Sequence, residues 1–114
     1  MIVLVCGSRD WNDEFKIWKE LHELGENCHV IHGGCGGADS IAGDQAVSLR
    51  MKVTSFPAEW KLYGRSAGPI RNRKMLDMKP DLVLAFHSNI EKSKGTKDCV
   101  IEAQRRGIYV KFII

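Results

Sequence analysis

At 114 residues, with 44% hydrophobic and 27% charged side chains, the chain fits one globular domain, residues 1–114, with little to spare for a second core. A net charge of +3 permits an anionic ligand but does not mark a nucleic-acid binder. The opening apolar run Ile2-Val3-Leu4-Val5 is far too short to span a membrane, and no secretory leader is read. The four cysteines, Cys6, Cys28, Cys35 and Cys99, are therefore expected to be reduced thiols of a cytoplasmic protein.

Ile2–Cys6 reads as a buried strand and Gly7-Ser8-Arg9-Asp10 as a turn. Asn12 or Asp13 can cap a helix whose Phe15, Trp18, Leu21 and Leu24 fall on one face, and Gly25 suits its end. Cys28–His32 is a second strand and Gly33–Gly37 a glycine-rich loop. Ala38 to Leu49 forms a second helix with Ile41, Ala42, Ala46 and Leu49 inward. Lys52–Phe56 is a third strand, and Ala58–Ser66 a longer connection holding Trp60, Tyr63 and Gly64. The next helix is expected to start near Pro69, which suits a first turn, and to end at Met78 before Lys79-Pro80. Asp81–Phe86 is a continuous apolar strand, His87–Gly95 a polar loop, Thr96–Arg106 a helix closed by Gly107, and Ile108–Ile113 a fifth strand.

Apolar strands alternating with amphipathic helices imply an α/β fold, a Rossmann-like three-layer sandwich around a five-stranded parallel sheet. Right-handed crossovers favour strand order 3-2-1-4-5, with 2-1-3-4-5 as the alternative. In either order ligands bind beyond the carboxyl ends of the strands. There lie Gly7–Trp11, Gly33–Asp39, Ala58–Gly68 and His87–Thr96, the loops richest in glycine, arginine and polar residues.

Gly33, Gly34, Gly36 and Gly37, between a strand and a helix, form a setting in which backbone amides and a helix dipole can hold a phosphate. The segment matches neither the dinucleotide fingerprint nor the P-loop. Asp39 suits either the helix dipole or a sugar hydroxyl. Gly7, Ser8 and Arg9 follow the first strand, where Ser8 and the backbone can bind an anion and Arg9 can clamp it. Arg71, Asn72 and Arg73 open the third long helix; Arg71 shares a face with Lys74 and Arg73 points elsewhere. Gly95-Thr96 begins the last helix, where Thr96 is a natural N-cap or a phosphate contact. Trp60 and Tyr63 can stack on a base or plug the sheet end. His29, His32 and Cys35 do not make a zinc site, because the two histidines fall on opposite faces of a strand. No metal and no cofactor is expected.

Taken in order, Val5-Cys6-Gly7-Ser8-Arg9, His32-Gly33-Gly34 through Gly37-Ala38-Asp39, Pro57-Ala58-Glu59-Trp60, the stretch Gly64 to Leu76 with its Ala67-Gly68-Pro69-Ile70-Arg71-Asn72-Arg73, and Gly95-Thr96 resemble the YspA-type, cpYpsA-related branch of the SLOG superfamily. The resemblance implies a Rossmann-like domain of bacteria and phages that binds nucleotides or their derivatives. Superfamily relatives include the lonely-guy phosphoribohydrolases and the single-strand-binding DNA-processing protein A. In the hydrolases an arginine and a glutamate carry the chemistry; Arg73-Lys74 is similar to the arginine part. Cys99 stands where the glutamate belongs, with Asp98 on another face of the helix and Glu102 one turn later. That leaves Arg73 and Glu102 as the only catalytic candidates, and favours binding or sensing of a small nucleotide-like ligand over nucleotide N-glycoside hydrolysis. Single-stranded nucleic acid ranks below both as a partner, no membrane is expected, and the resemblance implies a homodimer.

Overall fold

A computed structural model describes residues 1–114. Five strands, β1 (Ile2–Gly7), β2 (His29–His32), β3 (Lys52–Ser55), β4 (Leu82–Phe86) and β5 (Val110–Ile113), form one sheet in the order β3-β2-β1-β4-β5. Every pairing is parallel, with Val3 opposite Val30 on one side and Leu82 on the other. The helices are α1 (Glu14–Leu24), α2 (Ala38–Ser48), the single turn α3 (Trp60–Tyr63), α4 (Ala67–Asp77) and α5 (Lys94–Arg105). The favoured strand order is the observed one, and it places the crossover between β1 and β4.

Alternate residues of each strand supply two cores. Val3, Val5, Val30, Leu84 and Phe86 pack beneath Ile17 and Leu21 of α1 and Ala38, Ala42 and Ala46 of α2. Leu4, Cys6, Ile31, Val83, Ala85 and Val110 pack beneath Met75 and Leu76 of α4 and Cys99, Val100 and Ala103 of α5. A side-chain period of two in strands with both faces covered requires this continuous apolar composition. At roughly 25 cal/mol per Å² of apolar surface removed from water, these two layers are the main favourable contribution to folding. No helix is long and apolar enough to cross a membrane.

Several boundaries differ from expectation for identifiable reasons. In α1, Phe15 and Trp18 are exposed and Ile17 and Leu21 are buried. Steps of three residues lag a 3.6-residue turn by about 60° each, so the Phe15-Trp18-Leu21-Leu24 stripe winds around the helix. The core face follows Ile17, Leu21 and the partly buried Leu24. Asp13, the second of the two candidate caps, accepts from the Lys16 amide. Helix α4 begins at Ala67, two residues before Pro69, because the chain enters it directly from a tight turn over Gly64–Ser66. It ends with Lys79 in the left-handed region (φ 55°) ahead of Pro80. Helix α5 begins at Lys94, capped by Ser93 rather than Thr96: the Ser93 Oγ accepts from the Thr96 amide at 3.2 Å. Ile108 donates to the Ala103 carbonyl to close α5, so β5 starts later than its apolar run.

Candidate functional site

The carboxyl ends of β1 and β4 open into a cleft of about 370 Å³. Gly7 closes β1 so near β4 that a Cβ there would collide with the Phe86 carbonyl oxygen. The loop that follows is held on both sides of the crossover. Ser8 donates its amide to the Phe86 carbonyl (2.9 Å), and its own carbonyl accepts from the Ala38 amide at the start of α2 (3.0 Å). Gly37, with φ 71°, brings that helix start against Ser8 and Arg9, where a Cβ would strike the Ser8 carbonyl. One wall of the cleft is Ser8, Arg9 and Asp10, and the opposite wall is Lys92, Ser93, Lys94, Gly95 and Thr96 at the start of α5.

Between the walls, buried side chains form one connected polar network. The Asp39 carboxylate turns back onto its own loop, its Oδ2 accepting from the Gly33 amide (2.9 Å) and the Cys35 amide (3.4 Å). The Arg71 Nη1 donates to the Gly33 carbonyl (2.8 Å), so the two charges grip opposite ends of one residue. The Arg71 Nε donates to the Asn72 Oδ1 (2.9 Å), and the Asn72 Nδ2 donates to the Gly95 carbonyl (3.2 Å) and the Asp98 carboxylate (3.0 Å). The glycine-rich loop and the start of α5 are thereby linked through α4. Neither expected role of Asp39 describes it fully, because it ties the loop before it could serve a ligand.

The electrostatics follow from burial. Asp39 is 6% exposed. Burial pushes its carboxyl up from 3.8 to about 6, against the downward pull of the Gly33 and Cys35 amides and the Arg71 and Arg9 charges. Arg71 is 9% exposed, and no carboxylate lies within ion-pairing distance of it. Its Nη2 donates to no protein group, and the side chain lines the cleft. Counting all lining side chains, Arg9, Arg71, Lys92 and Lys94 oppose Asp10 and Asp39. Beneath the cleft Cys6 and Cys99 are buried in the same core, and the neighbouring Cys99 thiol together with burial pushes the Cys6 thiol well above its ordinary value. A buried thiol, Cys99, thus stands where the resemblance places a glutamate.

Gly7, Ser8, Arg9, Asp39, Arg71, Asn72, Gly95 and Thr96 are brought together in the cleft. Gly33, Gly34, Gly36 and Trp60 line a separate depression beside it. Gly37 lines neither and acts through the approach to Ser8. Arg73 is exposed on the outer face of α4 with its guanidinium on the Pro69 carbonyl, and Glu102 is held by Arg105 and Arg106. Both catalytic candidates therefore lie away from the cleft. The polar residues missed by sequence reading include Asp10, Cys35, His87, Lys92, Ser93 and Lys94 of the cleft lining, and Asp98 behind Asn72. A serine three positions before Thr96 was the available signal for Ser93, obscured by Gly95 between them. His29 engages Thr54 (2.7 Å) while His32 accepts from the Gly34 amide (2.9 Å), so the two rings serve separate contacts.

Comparison with known proteins agrees with this architecture. Over most of its length the chain is similar to the Gene 61 protein of Mycobacterium phage D29, with 38% identity over 117 residues covering 95% of this chain and 92% of the phage protein. Its fold is similar to that of DNA processing protein A from Streptococcus pneumoniae, with a TM-score of 0.80 at 17% identity. That match covers 98% of this chain and 50% of the pneumococcal chain, so the present chain spans half of that protein. The sequence profile of the YspA, cpYpsA-related SLOG family matches residues 1–63, and the chain belongs to that family.

Proposed function

We propose that the cleft at the β1–β4 crossover binds a phosphorylated, nucleotide-type ligand, and that the protein works as a binding or sensing module. The observation that carries this reading is Arg71. A guanidinium removed from water without a carboxylate partner is costly, and the cost is met by hydrogen bonds and by an anion. Arg71 has the first from Gly33 and Asn72, while its Nη2 donates to no protein group and its side chain is among those lining the cleft. Arg9 on one wall, Lys92 and Lys94 on the other, and the first-turn amides of α5 supply further positive potential for a phosphate. Asp39 fixes the depth of the site by holding the glycine-rich loop in place.

A thermal-shift screen of nucleoside monophosphates, ribose 5-phosphate and cyclic nucleotides, followed by calorimetry, tests this. Binding by phosphorylated compounds and not by their unphosphorylated counterparts is the expected result. Arg9→Ala should weaken it about tenfold, as for loss of one charge-assisted contact. The exposed Arg9 side chain makes no hydrogen bond within the protein, so stability should not change. No phosphorylated compound binding, or binding indifferent to Arg9→Ala, would contradict the proposal.

One observation favours a second reading, N-glycoside hydrolysis. Asp39 places a carboxyl with a value of about 6 on the cleft, in the range useful for proton transfer. Release of free base from nucleoside monophosphates, abolished by Asp39→Asn, would establish it. The binding reading is preferred because Oδ2 of this carboxylate is committed to two backbone amides.

A further inference from the structure

The depression beside the cleft has a chemistry of its own. It measures about 310 Å³ and shares Arg9, Cys35 and Arg71 with the cleft, so the two are contiguous across these side chains. Its remaining lining is Gly33, Gly34, Gly36, Pro57, Ala58 and Trp60. Side chains there are nearly absent, and the surface is built from flat peptide groups, a proline and an indole. Trp60 is 52% exposed although it is one of the largest apolar side chains in the chain. Its ring sits close to α4, since a Cβ on Gly68 would lie 3.6 Å from its Cη2. Its indole nitrogen donates to no protein group, unlike that of Trp11, which reaches the Asp13 carbonyl. In the same depression Gly36 has open space where a side chain would stand, and the Gly36 and Gly37 amides have no acceptor within the protein.

The cleft, by contrast, has no aromatic lining except His87 and is dominated by charged and hydroxyl groups. A nucleotide has the same division: a charged phosphate and polar sugar joined to a planar, weakly hydrated base. We infer that the glycine–tryptophan shelf is a nucleobase subsite, with the base stacked on Trp60 and facing the Gly33–Gly36 peptides while the 5′-phosphate occupies the cleft across Arg71. This rests on the proposed phosphate site and extends it to name the ligand class, a 5′-phosphorylated nucleoside and not a simple sugar phosphate. Trp60 and not Tyr63 carries the role. Tyr63 lies in a different recess, with Phe56 and Ile70, and the Lys74 ammonium stands 6.0 Å from its ring centre.

The test compares affinities for a nucleoside 5′-monophosphate and ribose 5-phosphate by calorimetry. The wild-type protein should prefer the nucleotide by about tenfold or more, as expected for one base stacked on an aromatic ring. Trp60→Leu should bring that ratio to about one with ribose 5-phosphate binding unchanged, Trp60→Phe should keep most of it, and Tyr63→Leu should keep all of it. The Trp60 indole N–H resonance should move on adding the nucleotide and stay in place on adding ribose 5-phosphate. A wild-type ratio of one, or a ratio that survives Trp60→Leu, would overturn the shelf while leaving the phosphate site standing. Binding of neither compound would overturn both.

Discussion

Replacing Asp39 by asparagine separates the two things this side chain does. It accepts hydrogen bonds from Gly33 and Cys35, which an amide oxygen can also do, and it carries a charge in a buried position. Its carboxyl is raised from 3.8 to about 6 in the folded protein. Well below the lower value the group is protonated in both folded and unfolded chains and has no net effect. As the pH rises between the two values, the unfolded chain releases the proton and the folded chain retains it, so stability falls. The loss is complete once the pH exceeds about 6. At ~1.36 kcal/mol per pH unit it amounts to about 3 kcal/mol. Asp39→Asn escapes this cost. In urea denaturation from pH 4 to 8, its stability should converge with wild type near pH 4 and exceed it by up to about 3 kcal/mol at pH 7.5. Removal of the negative charge should also tighten phosphate binding at neutral pH. Parallel stability curves, or a variant less stable at pH 7.5, would show that the ionised carboxylate is an asset paired with Arg71 and Arg9, and would refute the reasoning.

Arg71→Ala leaves the Gly33 carbonyl and the Asn72 Oδ1 without donors, so denaturation should report a loss of about 2–4 kcal/mol together with loss of ligand binding. Gly37→Ala meets both a positive φ and the Ser8 carbonyl and should cost more than about 2 kcal/mol, whereas Gly36→Ala meets open space and should leave the melting temperature within a few degrees of wild type. Ser93→Ala removes the cap of α5 and should destabilise by about 1 kcal/mol, with a parallel loss of affinity for phosphate at that helix start. A single-stranded oligonucleotide should bind no more tightly than its 5′-terminal nucleotide, with a shallow salt dependence; a steep one would point to a strand tracking several cations.

The layers were legible because they depend on the alternation of apolar strands with helices, and the strand order was narrowed to two, of which the favoured 3-2-1-4-5 is observed. A short apolar run such as Leu82-Val83-Leu84-Ala85-Phe86, bounded by Lys79-Pro80 and a polar loop, reads as a strand covered on both faces, and right-handed crossovers leave few orders. The same logic gathers Ser8, Arg9, Asp39 and Gly95 at one edge before any contact is known. The inward course of Arg71 was not legible. By helical spacing it shares a face with Lys74, yet Arg71 is buried and Lys74 is exposed beside Glu59. What buries Arg71 is the Gly33 carbonyl, thirty-eight positions away, and helical periodicity holds no record of such a partner. The return of Asp39 onto Gly33 was hidden for a similar reason. A carboxylate at a helix start has a sufficient local explanation in the dipole, and only the bend of the preceding loop gives it a second one. Glycine concentration pointed to Gly33–Gly37 as the phosphate cradle. The loop's Gly33 and Cys35 amides are taken by Asp39, its Gly34 amide by His32, and the cationic cleft opens beside it.

The central claim is that a phosphate is held between Ser8–Arg9 and the start of α5, against Arg71. An amide and arginine side-chain NMR titration of the protein with ribose 5-phosphate, with ribose as the control, tests it most directly. Saturable shifts confined to Ser8, Arg9, Lys94, Gly95 and the Arg71 guanidinium are expected, with ribose alone producing none. Shifts that are absent, that ribose reproduces, or that fall elsewhere, such as on the exposed Phe15 and Trp18 face of α1, would contradict it.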